Sequence, residues 1–328
     1  MNSAVTQAGA GKTTPRVSGA GRVADGLFRQ LTFAAAIFVL LVLLGIIASL
    51  VIGSLPALEH FGASFIWTDA WNPVTNEFGA LAPMYGTLVT SLIAMLIGVP
   101  VSFGIAVFIT ELCPVWLRRP LSIMVELLAG IPSIIYGMWG LFVFAPFFAD
   151  YIQPWVTAHL GGWPVAGVLF RGPPMGIGMF TAGLILAIMI VPFVTSIMRD
   201  VFEVVPPVLK ESAYAMGCTT WEVVRHVVLP YTRVGVTGGI MLGLGRALGE
   251  TMAVTFVIGN AHHISAALFM PGNTISSSLA NEFTEADGQL YTSSLIALGL
   301  ILFCITFLVL VAARLMLLRL QAREGRKV

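Results

Sequence analysis

The sequence predicts an all-α polytopic membrane protein with six transmembrane helices and both termini in the cytoplasm. Three observations carry that expectation. Of 328 residues, 57% are hydrophobic and only 10% are charged, against about 25% charged in soluble domains. Apolar runs of about 20 residues recur along the chain, each long enough to cross a hydrocarbon core of roughly 30 Å. All of the 17 Lys and Arg residues except Arg171 and Arg246 fall in tails and loops that such a topology places on one side, the cytoplasmic one. Reversing the orientation would put almost every positive charge on the wrong face. The mean hydropathy of +0.92 agrees with lipid as the main neighbour. A net charge of +1 gives no reason to expect a nucleic-acid partner.

Residues 1–26, rich in Gly, Ala, Ser and Thr, read as a disordered cytoplasmic tail. The GAGKTT run there (Gly9 to Thr14) is only a fragment of a phosphate loop. Thr6 occupies the position where the full pattern needs its first glycine, and no strand precedes it. Residues 27–80 comprise a first span, about Leu31 to Ile52, and an outer loop holding Trp67 and Trp71. The apolar run is longer than the roughly 7–15 residues of a cleavable signal, so a retained helix is expected. Residues 81–315 form the core of five further spans. The second is about Leu81 to Thr110, kinked at Pro100. The third is about Leu121 to Phe148, interrupted at Gly130-Ile131-Pro132. An outer loop, Ala149 to Met175, leads to a fourth span, Gly176 to Met198. A loop and fifth span follow, then a polar loop from Asn260 to Leu290 and a sixth span, Tyr291 to Leu315. Residues 316–328 are a basic cytoplasmic tail. Cys113, Cys218 and Cys304 share no metal-ligand spacing, and disulfides are not expected. His262 and His263, with no third ligand nearby in sequence, read as residues of a solvated loop. No catalytic residues and no metal site are expected.

The most informative stretch is the cytoplasmic loop 206–230 and the helix after it. Pro207 suits the first position of a helix, and Gly217 suits the left-handed residue that ends one. Thr219 and Glu222 fit a capping box opening a second short helix, which Pro230 is expected to end. Val208, Leu209, Ala213, Tyr214 and Met216 give the first helix an apolar stripe outside the membrane, and that stripe needs a partner. The spacing Glu211-Ser212-Ala213-x3-Gly217-x9-Val227-x-Leu229-Pro230 resembles the EAA loop of ABC-importer permeases, EAA-x3-G-x9-I-x-LP. Ser212 replaces the middle Ala and Val227 the Ile. The resemblance implies that Glu211, Ser212, Ala213, Gly217, Leu229 and Pro230 belong to a loop that seats in a groove of a separate ATPase. ATP and Mg would then be bound by that partner, with no cofactor in this chain and no enzyme activity of its own.

The following segment, Thr232 to Ile258, is expected to form one helix of about 27 residues, roughly 40 Å long. Its wheel places Gly235, Gly239, Gly243, Arg246, Glu250 and Ala253 on one face. Intramembrane charges normally face a bundle interior or a water-filled cavity. Arg246 and Glu250, one turn apart, can pair. One reading makes them a self-neutralising pair that tightens helix packing. The favoured one makes Arg246 a bidentate donor for an oxyanion, with Glu250 holding the guanidinium and the glycine face leaving room for substrate.

GRALGETMAVTFVIGN (Gly245 to Asn260), ELLAGIPSIIYG (Glu126 to Gly137) and TELCP (Thr110 to Pro114) are similar to signatures of the PstC-type permeases of phosphate ABC importers. With the loop, the resemblance covers about Leu81 to Leu315. It implies the type I importer permease fold and a place in the bacterial cytoplasmic (inner) membrane. It also implies a complex with a PstA-type permease, two ATPase subunits and an extracytoplasmic phosphate-binding protein. Arg246, Glu250 and, more weakly, Glu126 are the residues it implies for the substrate path. Arg199 and Asp200 read as an interfacial cap on the fourth span. Sulfate or molybdate as the oxyanion, a proton-coupled transporter using Glu250, and an assembly subunit without a path are the alternatives.

Overall fold

In the computed structural model, residues 19–164 and 166–324 are described. The GAGKTT run and most of the expected N-terminal tail lie outside them. The chain divides into two units at Ser49–Leu50. Helix Gly19–Phe61 begins inside the stretch expected to be a disordered tail. Between Leu27 and Ser49 nearly all of its large apolar side chains are exposed, Phe28, Phe38 and Leu44 among them, as a lipid-facing helix requires.

Six helices are long and apolar enough to cross a membrane: Asp25–Phe61, Leu81–Leu112, Ser133–Leu160, Met179–Glu203, Thr220–Leu248 and Gln289–Leu318. These are the first to sixth spans below. Pro100 and Pro192 lie inside helices that continue past them. The second span ends in a π-helical turn, Phe108–Leu112.

The third span departs from expectation. The segment before Gly130-Ile131-Pro132 is a separate helix, Val115–Ala129, with no buried residue. The span itself starts only at Ser133 and runs on to Leu160, through residues read as an outer loop. Proline disfavours a helical residue before it and cannot donate to the previous turn, so Pro132 separates two helices. The interruption falls where the sequence places it, but it separates a preceding helix from the span instead of dividing one span.

The second and fourth spans form the densest packing. Their contact is made by small residues: a Cβ on Gly98 would lie 2.9 Å from Ile190, and one on Gly183 would lie 2.7 Å from Ile93. The central apolar cluster joins Ala94, Ala182, Ile185, Leu186 and Ile190 to Ala247, Val254 and Val257. A second cluster gathers Ala57, Phe65, Phe78, Ile275, Tyr291 and Leu295.

The polar stretch Asn260 to Leu290 is not a solvated loop. It carries helix Ile275–Glu282, with Asn273, Thr274, Ser276, Ser277 and Ser278 all buried. Hydroxyl-rich backbone can be buried only when its polar groups are partnered. Thr274 and Ser277 cap each other, and the Thr87 hydroxyl of the second span accepts from the Ile275 N–H at 3.0 Å. Ser276 Oγ stays without a partner.

Candidate functional site

The loop helix, Pro207–Ala215, opens on extended Pro206 with Pro207 in its first turn. Its end has both bonds of a Schellman closure: Cys218 N–H donates to Ala213 C=O, and Gly217 N–H to Tyr214 C=O. That closure needs a left-handed residue, and Gly217 supplies φ +89°. Thr219 then forms the expected capping box with Glu222. Pro230 does not end this second helix. The chain runs through a π turn, Val224–Val228, directly into helix Leu229–Leu248, which carries Pro230 in its first turn. A widened turn accommodates the missing N–H and the ring.

The apolar stripe splits by size. Ala213 is buried in a cluster with Ala106, Val194, Met198, Phe202, Val223 and Val228, where only a small side chain brings the loop helix close to the bundle. Val208, Leu209, Tyr214 and Met216 are exposed, Met216 by 79%. Glu211, Ser212 and Gly217 are exposed beside them, and Pro230 is exposed while Leu229 is half-buried.

The charged helix corrects three expectations. It is not continuous: helix Leu229–Leu248 ends at Gly249, and a short helix, Met252–Thr255, follows. The glycine face is not open space, because it is filled by the fourth span. A Cβ on Gly235 would lie 2.6 Å from Val201, on Gly239 3.0 Å from Ile197, and on Gly243 2.6 Å from Val194. Beyond the break, Ala253 and Val257 pack against Gly137 and Gly140 of the third span. One straight helix could not serve both neighbours, and Gly249 to Thr251 make the turn. Finally, Arg246 and Glu250 do not pair. Glu250 sits in the break, where its Oε1 accepts from the Ala253 N–H at 3.2 Å.

Arg246 follows Gly243 at the end of the glycine ladder. Its guanidinium carbon lies 5.3 Å from the centroid of the Phe193 ring, on the fourth span. Its Nε is buried with no hydrogen-bond partner. Among the described residues no carboxylate lies within ion-pair distance of it. An aromatic face attracts a cation but satisfies none of its five N–H donors.

Glu126 is held elsewhere. Its Oε1 accepts from Arg199 Nη2 at 2.8 Å, and Asp200 Oδ1 accepts from the same nitrogen at 2.6 Å. Arg199 is 10% exposed in this triad, so it ties helix Val115–Ala129 to the fourth span. No hydrogen bond or ion pair joins Glu126 to Arg246 or Glu250 among the described residues.

Sequence reasoning missed a second polar constellation. His262 Nε2 lies 2.7 Å from Glu282 Oε1, while Glu282 Oε2 accepts from Trp71 Nε1 at 2.6 Å and from Tyr291 Oη at 2.7 Å. The Trp71 ring stacks on His262, with centroids 5.2 Å apart. His262 is therefore not a solvated residue, although His263 is exposed. Burial pushes the Glu282 carboxyl up. The hydrogen bonds from His262, Tyr291 and Trp71, with the charge of a protonated His262, outweigh this and hold it below the usual range. A carboxyl whose folded pKa is depressed adds stability above its unfolded value of about 4.3, and that stability is lost as pH falls through the folded value. Glu282→Gln should therefore lower stability at pH 7 by about 1–2 kcal/mol. The gap to the parent should narrow as pH falls below about 4.3 and close once the folded carboxyl is protonated, where both carry a neutral group. Melting curves of the detergent-purified chain across pH 3–7 check this, and a gap independent of pH would count against it. Among the described residues no group of three or more His, Cys, Asp or Glu could hold a metal ion.

With this geometry in place, comparison with known proteins gives a consistent result. Residues 98–321 match the family described as binding-protein-dependent transport system inner membrane component. The chain is 64% identical over 301 residues to the phosphate transport system permease protein PstC of Mesorhizobium japonicum, covering 92% of each chain. It is 60% identical to the protein of that name in Pasteurella multocida, covering 92% of this chain and 94% of that one. A probable phosphate transport system permease protein PstC of Methanocaldococcus jannaschii is 37% identical, with 86% and 90% covered. Among solved structures, a bacterial alginate ABC transporter in complex with alginate pentasaccharide-bound periplasmic protein matches with TM-score 0.60 and 17% identity. It covers 90% of this chain and 96% of that one. An inward-facing MetNI methionine ABC transporter matches with TM-score 0.53 and 17% identity, covering 73% and 94%. At such identity these last two likenesses concern the fold. The six spans, the capped loop and the extent of the match agree: the chain belongs to the family of inner membrane components of binding-protein-dependent transport systems.

Proposed function

We propose that this chain is the membrane-spanning permease subunit of an ATP-driven importer of inorganic phosphate. It would work beside a PstA-type permease, two ATPase subunits that bind ATP and Mg, and an extracytoplasmic phosphate-binding protein. Both termini and the loop 206–230 lie on the cytoplasmic side of a bacterial inner membrane, as the distribution of Lys and Arg favours. The observation that carries the reading is Arg246: a cation inside the bundle with a buried Nε and no hydrogen-bond partner. A guanidinium presents paired donors to an oxyanion, so a translocating phosphate can supply what the protein withholds. Relatives named as phosphate permeases favour phosphate over sulfate or molybdate.

The test is ATP-dependent uptake of labelled phosphate by the reconstituted complex, with unlabelled sulfate or molybdate as competitor. Phosphate uptake that survives a large excess of either supports the reading. Competition at equal concentration would assign the chain to a broader oxyanion carrier, and uptake driven by a proton gradient without ATP would overturn it.

The loop is tested separately. Nothing lies within 4 Å of a Cβ built on Gly217, but its φ is +89°, so substitution there is a matter of backbone conformation, not of space. Gly217→Val should cost at least about 1–2 kcal/mol at the turn and markedly reduce co-purification of the ATPase. Undiminished co-purification would count against docking through this loop.

A further inference from the structure

The loop helix Pro207–Ala215 is joined by covalent chain to the fourth span on one side and to the fifth on the other. It has a third attachment that the motif does not specify. Lys210 Nζ lies 2.6 Å from Glu111 Oε1, with the lysine side chain 18% exposed and the glutamate 5% exposed. Glu111 belongs to the π turn that ends the second span. That end is stiffened by its own bonds: the Thr110 hydroxyl donates to Ala106 C=O, and Arg118 Nη2 donates to Thr110 C=O at 2.8 Å.

Removing two charges from water is costly, and a buried ion pair seldom adds net stability over apolar residues of similar volume. Ala213 and Ala106 share one buried apolar cluster, so the loop helix and the second span already meet in a common apolar core. What the ion pair adds is a directed link of fixed register. The second span is in turn interlocked with the fourth through Gly98 and Gly183, and the fourth with the fifth through Gly235, Gly239 and Gly243. We infer that the partly buried Lys210–Glu111 pair is a coupling strut. It makes the second span follow the ATPase-docking helix, so that ATP hydrolysis moves three spans together around Arg246. Lys210 and Glu111 are positioning residues, and neither meets the substrate. The inference rests on the docking reading above.

The test uses the reconstituted complex and measures phosphate taken up per ATP hydrolysed. Recovery of the ATPase with the unsubstituted chain is measured first. Failure at that step refutes docking itself, and with it the strut. Lys210→Met with Glu111→Gln removes both charges together and leaves neither buried alone. This double variant is expected to retain the ATPase but to take up about tenfold less phosphate per ATP. The exchanged pair, Lys210→Glu with Glu111→Lys, restores the link in reverse and should recover at least half of the parent ratio. A parent-like ratio in the neutral double variant would overturn the inference. So would an exchanged pair that assembles yet transports no better than the neutral one.

Discussion

Arg246→Gln is expected to cut phosphate uptake by about 10- to 100-fold, the equivalent of a lost charge-assisted hydrogen bond of roughly 1.5–3 kcal/mol, while the complex still assembles. Assembly should survive because, among the described residues, Arg246 supports no other element by a hydrogen bond or ion pair. Its contact with the Phe193 face is lost with the shorter Gln side chain, a term of only about 0.5–1 kcal/mol. Arg246→Lys keeps the charge but loses the planar fork, so its uptake should fall between the two. Glu250→Gln separates the roles of the two residues. Glu250 accepts from the Ala253 N–H, a bond that an amide oxygen can keep. Its loss of uptake should therefore be the smaller of the two. Equal losses for Arg246→Gln and Glu250→Gln would restore the idea of a working pair, and parent-like uptake by Arg246→Gln would make Arg246 structural.

The parts of this protein that were legible in the sequence are those set by local chemistry. Pro207, Gly217 and the Thr219–Glu222 pair specify caps within a few residues, and the structure forms each cap. The six spans follow from uninterrupted apolar length. What was illegible depends on which surfaces meet. The glycine face around Gly239 read as room for a substrate, because a wheel shows an empty stripe and not the neighbour that fills it. The break at Gly249 was hidden for the same reason: two packing partners, the fourth and third spans, pull one helix in different directions. The pairing of Glu126 with Arg199, 73 positions away, is equally invisible to local pattern. The network of Trp71, His262, Glu282 and Tyr291 gathers residues from two inter-span segments and a span, and no periodicity marks it. Its one sequence signal was the cluster of hydroxyl residues from Thr274 to Ser278, too poor in charge for a solvated loop.

That inward-folded segment gives the largest expected loss of stability. Gly86, on the second span, faces the backbone of Asn273. A Cβ there would lie 1.8 Å from the Asn273 carbonyl oxygen and 2.9 Å from its carbon. A clash with a flexible side-chain tip could be relieved by a rotamer change, but this one is with backbone. Moving Asn273 would pull Ile275 N–H off the Thr87 hydroxyl and the Asn273 amide away from His262. Buried donors left without partners add their own penalty to the overpacking. Gly86→Ala should thus destabilise the protein by about 3 kcal/mol or more, seen as a lower melting temperature and reduced recovery in detergent. Gly104→Ala is the matched control. It lies in the same helix, Leu81–Val107, with nothing within 4 Å of the added carbon, so it should stabilise slightly, by up to about 1 kcal/mol. Were both variants to melt like the parent, the segment around Asn273 would not be seated against the second span. If only Gly86→Ala falls, the close approach of the second span to this buried segment is what holds the segment in place.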